Sequence, residues 1–188
     1  MIKIGITGHQ YLHNKPILKK AITESIIRIK QQYAGRKCEL YSALAAGADT
    51  LAAESALENA IPLNVIFSFD QKGYLSSMSS EQQGIVKELV HKANCQINLP
   101  QTIGQNSFEE IASFLVTQMD CLIAVWNGQE ARGPGGTGEV VQEFNRSGKP
   151  WVWVRADNMV PGNETLLVEE KIQGSVEFFN MGKNSLYN

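Results

Sequence analysis

Apolar positions along this chain follow two rhythms that alternate. "IKIGITG" (Ile2 to Gly8) is a short β-branched run ended by glycine, the pattern of a strand buried on both faces. The next segment spaces Leu18, Ile22, Ile26, Ile29 and Tyr33 along one helical face, with Asn14 and Pro16 at its start and Gly35 as a stop. "ELYSAL" predicts a second strand that ends at "AAGAD". Leu51 to Ala60 then predicts an alanine-rich helix that the Asp49 carboxylate can cap. "PLNVIFSF" is a third strand, "DQKGYLSSMSS" a polar loop, and Glu81 to Lys92 a helix. After a weaker strand, "CQINLP", Ser107 to Met119 puts Phe108, Ile111, Leu115 and Met119 on one helical face, with Ser107 and Glu110 spaced as a capping box. "CLIAVW" is the most hydrophobic strand, and "PWVWV" closes the series. Beyond Arg155 the alternation fades. "NMVPGNET" is a loop, and the last twenty residues add an edge strand around "SVEFF" or pack on a partner.

Strands apolar on both faces, alternating with helices, predict an α/β fold of the Rossmann-like, three-layer kind. Its sheet is mainly parallel, with helices on both faces and right-handed crossovers. The 188 residues show no repeat, linker or low-complexity tract, so a single domain over 1–188 is expected.

Composition adds exclusions. A net charge of −2 with 19% charged residues gives no general pull toward nucleic acid or membrane. The apolar runs are too short to span a bilayer, and the N-terminus enters a strand without a signal peptide. Cys38, Cys95 and Cys121 are scattered without CxxC spacing, as expected of reduced thiols in a cytoplasmic protein. His9, His13 and His91 show no metal-ligand spacing, so neither a metal nor a cofactor is expected.

Candidate chemistry lies in three strand-to-helix loops. In a parallel sheet such loops meet at the carboxyl edge, where ligands bind. "TGHQYLHN" offers Gly8 and His9; "SALAAGAD" offers Ser42, Gly47, Ala48 and Asp49. "WNGQEARGPGGTG" offers Asn127, Gly128, Arg132, Gly133, Gly135, Gly136, Thr137 and Gly138, followed by Glu139. Glycines permit close backbone approach, and exposed amides at a helix start favour an anion, phosphate above all. Arg132 can clamp a phosphate bidentately, and Trp126 can stack a base or pack at the rim. Gly8, Gly47 and Gly136 are expected to line one pocket. The familiar nucleotide signatures are absent: the first loop lacks GxGxxG, Ser42 stands where a ribose-binding acid would follow the second strand, and no P-loop is present. Trp151 and Trp153 alternate in "PWVWV" as packing for a helix or a second subunit; together with helical faces rich in small and apolar residues they predict a homo-oligomer.

"GITGHQYL", "SALAAGADTLAAESAL" and "DCLIAVWNGQEARGPGGTGEVVQEFNRSGKPWVWV", in that order, resemble the SLOG superfamily over Met1 to Ala156. This Rossmann-like group includes DNA-uptake processing proteins, phosphoribohydrolases once described as lysine decarboxylases, and ligand-sensing domains of bacterial defence systems. The resemblance implies a nucleotide-type ligand held by the first loop, the Gly47 to Asp49 turn and the Gly133 to Gly138 loop. The enzymatic branch carries PGGxGTxxE, whose final glutamate works on the N-glycosidic bond. Here Gly138 falls on the last glycine, Glu139 on the threonine and Gln142 on that glutamate. An amide cannot take a proton or stabilise an oxocarbenium ion as a carboxylate does. The expected function is therefore binding of a nucleotide or phosphorylated nucleoside derivative, as a sensor or binding protein. The alternative is a phosphoribohydrolase or nucleoside N-glycosidase using Glu139 with Arg132. Nucleic acid is not an expected partner, since no basic stripe is present.

Overall fold

A computed structural model describes residues 1–68, 71–76, 78–161 and 172–182. The elements are β1 (Ile2–Gly8), α1 (Lys15–Gln32), β2 (Cys38–Ser42), α2 (Ala48–Glu58), β3 (Leu63–Phe67), α3 (Gln71–Ser76) and α4 (Ser80–Lys92). They continue with β4 (Cys95–Asn98), α5 (Ser107–Gln118), β5 (Cys121–Trp126), α6 (Thr137–Arg146), β6 (Trp151–Arg155) and β7 (Val176–Phe179). Among the described residues, seven strands form one sheet in the order β4-β3-β2-β1-β5-β6-β7. The first six pair in parallel, and β7 runs antiparallel to β6. The expected Rossmann-like α/β architecture is thus observed.

The apolar periodicities account for the layers. Leu18, Ile22, Ile26 and Ile29 of α1 are fully buried, and with Ala52 and Ala56 of α2 and Val86 and Leu89 of α4 they cover one face of the sheet. Ala112 and Leu115 of α5 with Val140, Val141 and Phe144 of α6 cover the other. Phe144 is fully buried, which contributes about 1.5–3 kcal/mol relative to an exposed ring. The alanines of α2 matter for another reason: short side chains let that helix lie close to β1, β2 and α1.

Several local expectations are corrected. Helix α2 begins at Ala48 after Gly47, and Asp49 does not cap it. Its carboxylate instead accepts from the Ala43 amide (3.2 Å) and the Ser42 hydroxyl (3.4 Å), tying down the turn between β2 and α2. The capping box of α5 is formed by Asn106 with Glu109, one residue earlier than Ser107 with Glu110, and Glu110 is buried with its Oε1 accepting from the Thr102 amide. Asn14 occupies the N-cap of α1 in the left-handed region without a side-chain cap bond. Within "DQKGYLSSMSS", residues 71–76 form α3, while 70 and 77 lie outside the described residues. "NMVPGNET" leaves the described residues after Pro161, as does the chain beyond 182.

The two tryptophans of β6 are covered within the chain. Trp151 stacks on Phe179 of β7 at 4.2 Å, and its indole N–H donates to Asn145. Trp153 packs against Trp126 at 5.3 Å, with the Arg155 guanidinium 3.9 Å above its ring. Both rings thus have partners within the chain. No helix among the described residues is long and apolar enough to cross a membrane.

Candidate functional site

The strand order reverses between β1 and β5, so the loops after these strands diverge to opposite sides and leave a crevice at the carboxyl edge. Backbone bonds lock its walls together. The His9 amide donates to the Val125 carbonyl (3.0 Å), and the Ala48 amide donates to the His9 carbonyl (3.1 Å). The Asn127 amide donates to His9 Nε2 at 3.2 Å. Since that nitrogen accepts, the neutral imidazole carries its proton on Nδ1. Burial lowers the His9 pKa below its ordinary value, outweighing the opposing Asn127 and Asp157 contributions, with Arg132 pushing further down. His9 is thus a neutral brace between β1 and β5, with one N–H to offer.

Two hollows open from this crevice. The larger, about 440 Å³, is lined by Gly8, His9, Gln10, Tyr11, Trp126, Asn127, the 129–132 segment, Gly136, Thr137, Gly138, Asn158 and Val160. The smaller, about 190 Å³, lies on the β2 side and shares Gly8, Gln10, Gly136 and Thr137 as a common wall. Gly47 lines neither. It borders a third hollow of about 330 Å³ beside α4, so the single pocket expected for Gly8, Gly47 and Gly136 is divided. The cause is packing: a Cβ at Gly47 would run into the backbone carbonyls of His9 and Gln10.

The same test explains the glycines before α6. The Gly136 amide donates to the Gly133 carbonyl (3.1 Å), with Pro134 and a left-handed Gly135 (φ 77°) between them, the pattern of a type II turn. A Cβ at Gly135 would stand 2.5 Å from the Phe108 carbonyl carbon, and one at Gly138 2.9 Å from the Ala131 amide nitrogen. At Gly136 it would stand 2.9 Å from the Ala131 Cβ. These hydrogens face protein rather than open space. What the loop leaves available is its amides: Thr137 and Gly138, the first two residues of α6, find no acceptor among the described residues.

The remaining candidates divide sharply. Arg132 is exposed, lines the larger hollow and forms no ion pair among the described residues. Gly133 is exposed with open space around it. Asn127 accepts from the Gln129 amide (3.1 Å), and Gly128 (φ 83°) packs on the Trp153 ring, so both shape the loop. The Trp126 indole is anchored to the Gln129 carbonyl at 2.8 Å. Ser42 and Ala48 are fully buried, the Ser42 hydroxyl already serves Asp49 and the Leu44 amide, and neither residue lines the three hollows. Asp49 borders the smaller hollow at 6% exposure. Burial pushes its carboxyl up to about 7, against the hydrogen bonds from Ala43, Ser42 and Ala45 that favour the ionised form.

Glu139 is a correction. Its carboxylate accepts from the Gly135 amide at 2.7 Å and lines a separate groove between α5 and α6, bordering neither hollow. Gln142 is exposed and also borders neither. Glu139 and Arg132 thus line different hollows. Sequence reasoning missed Gln10 and Tyr11, although they follow His9 directly. It also missed Tyr74 and Phe108 as site residues, since only the fold carries them to the crevice.

No family model matches this chain, and no curated protein matches it. Solved structures do. DNA processing protein A (DprA) from Streptococcus pneumoniae is similar at 12% identity with a TM-score of 0.54, over 80% of this chain and 49% of that one. This chain therefore spans about half the length of that protein. The structural-genomics target TM1055 is similar at 12% identity and a TM-score of 0.50, over 80% and 72% of the two chains. The molybdenum cofactor carrier protein MCP from Chlamydomonas reinhardtii gives 15% identity and a TM-score of 0.47, over 81% and 75%. At these identities the likeness is one of fold. The Rossmann-like α/β fold expected from the sequence is the fold these structures share.

Proposed function

We propose that this chain binds a nucleotide or phosphorylated nucleoside derivative in the larger hollow, as a sensor or binding protein. One observation carries the reading: two amides at the start of α6 and Arg132, all without a partner among the described residues, border the same 440 Å³ hollow at the sheet's switch point. Amides at a helix start bring the positive end of its dipole to an anion, and a guanidinium adds a charged, two-pronged donor. The volume lies within the range of small-molecule sites. Neutral His9, Asn158 and Gln129 supply polar partners for the uncharged part of such a ligand.

The hydrolase alternative loses support from the position of Glu139 and from the amide at Gln142. The carboxyls that do border the hollows are Glu130 and Asp49, and Asp49 is held by the β2–α2 turn. The test is calorimetric titration with nucleoside 5′-monophosphates, with free base followed in the same samples. Saturable binding without base release is expected. Release of base at enzymatic rates would overturn the binder reading, and no binding of any monophosphate at millimolar concentration would overturn the ligand class.

A further inference from the structure

We infer that the smaller hollow is a subsite for an aromatic ring, with Phe108 as its stacking platform, so that a ligand anchored at Thr137 extends a nucleobase toward α5. This rests on the phosphate reading of the larger hollow and adds where the base lies and which side chain selects it.

Phe108, Ile111 and Val140 give apolar walls, Tyr74 adds a second ring, and Thr7, Gln10, Asp49 and Thr137 are the polar lining residues. An apolar slot with a few placed polar groups suits a flat heteroaromatic ring, whose faces are apolar and whose edges form hydrogen bonds. At about 190 Å³ the hollow suits a ring rather than a whole nucleotide. It shares the Gly136–Thr137 wall with the larger hollow, so one ligand can occupy both.

Phe108 is also exposed at the mouth of the crevice. Among the described residues only two aromatic side chains are exposed, Tyr11 at 46% and Phe108 at 53%, and each lines one of these two hollows. A single exposed ring is unremarkable on a protein surface, but both of them border the same crevice. The Phe108 backbone is fixed: its amide donates to the Asn106 cap at 2.9 Å, and its carbonyl lies against Gly135. Only the ring's own rotamers are left to order when it meets a base. The Tyr74 hydroxyl is held in turn by the Ala43 carbonyl at 3.3 Å.

The experiment compares wild type, Phe108→Ala and Phe108→Tyr as full chains. Each is titrated calorimetrically with AMP, GMP, CMP, UMP and ribose 5-phosphate, and its fold is checked by thermal unfolding. For wild type, the best monophosphate should bind at least tenfold tighter than ribose 5-phosphate. Phe108→Ala should lose about tenfold for that nucleotide, the scale of one base–aromatic stack, and nothing for ribose 5-phosphate. Phe108→Tyr should restore wild-type affinity. If ribose 5-phosphate binds as tightly as every nucleotide, or if Phe108→Ala leaves nucleotide affinity unchanged or weakens both ligand types equally, the ring subsite is wrong while the phosphate site stands. If none of the five binds wild type, the phosphate reading fails and this inference fails with it.

Discussion

Replacing Gly135 with alanine separates two reasons for a glycine before α6: room for a ligand, or room for the protein's own backbone. Gly135 has φ 77°, and a Cβ there would lie 2.5 Å from the Phe108 carbonyl carbon and 2.6 Å from the Glu109 amide nitrogen. Those atoms belong to the capped first turn of α5 and cannot move as a flexible side chain does. The left-handed conformation costs a non-glycine residue about 1–2 kcal/mol, and overpacking adds about 1–3 kcal/mol. Gly135→Ala should therefore lose about 2–5 kcal/mol of stability, a fall in Tm of about 4–20 °C at about 2–4 °C per kcal/mol for a chain of this size. Gly133, two residues away, meets nothing within 4 Å and does not have a positive φ, so Gly133→Ala should stay within about 0.5 kcal/mol of wild type. Urea denaturation followed by far-UV circular dichroism, on both variants side by side, measures the contrast. Equal stability of the two would refute the packing account and return the glycines to a ligand.

Arg132→Ala should leave Tm unchanged, since the side chain is exposed and has no ion pair among the described residues, yet weaken a bound nucleoside monophosphate by about 1.5–3 kcal/mol. Calorimetry with the matching unphosphorylated nucleoside should show a much smaller loss; an equal loss would mean that Arg132 does not meet the phosphate. Asp49 has a folded pKa raised from 3.8 to about 7 by burial, so across that window the native state holds a proton that the unfolded chain has released. Stability should therefore fall as pH rises from 3.8 to about 7 and level off above it, with a shallower slope in Asp49→Asn; identical urea-midpoint profiles for the two chains would contradict this. Trp151→Ala should cost about 3–5 kcal/mol because the indole is buried against Phe179; a loss below 1 kcal/mol (about a 2–4 °C shift in Tm) would mean that β7 is not seated on β6 in solution. Multi-angle light scattering at micromolar concentration tests the homo-oligomer expected from β6, and a mass near 20.8 kDa would leave the chain a monomer.

Much of the architecture was legible in the chain itself. Strands buried on both faces and helices buried on one leave periodic signals that depend only on local geometry, and right-handed crossovers then put the loops after β1, β2 and β5 at one edge. The type II turn was not read from the sequence, although its cause is local, since Pro134 followed by Gly135 fits its two central positions. Tertiary structure decided where each side chain of those loops goes. Glycines that read as space for an anion turn out to touch Phe108, Ala131 and the His9–Gln10 backbone. Asp49 turned from a helix cap into the anchor of its own turn, and Glu139 faces the α5–α6 groove. Phe108 and Tyr74, far from the glycine loop in sequence, join it only because α5 and α3 pack beside the crevice. Periodicity records which face of an element is buried. It does not record what lies opposite that face, because that partner is supplied by residues tens of positions away whose placement depends on the packing of the whole sheet.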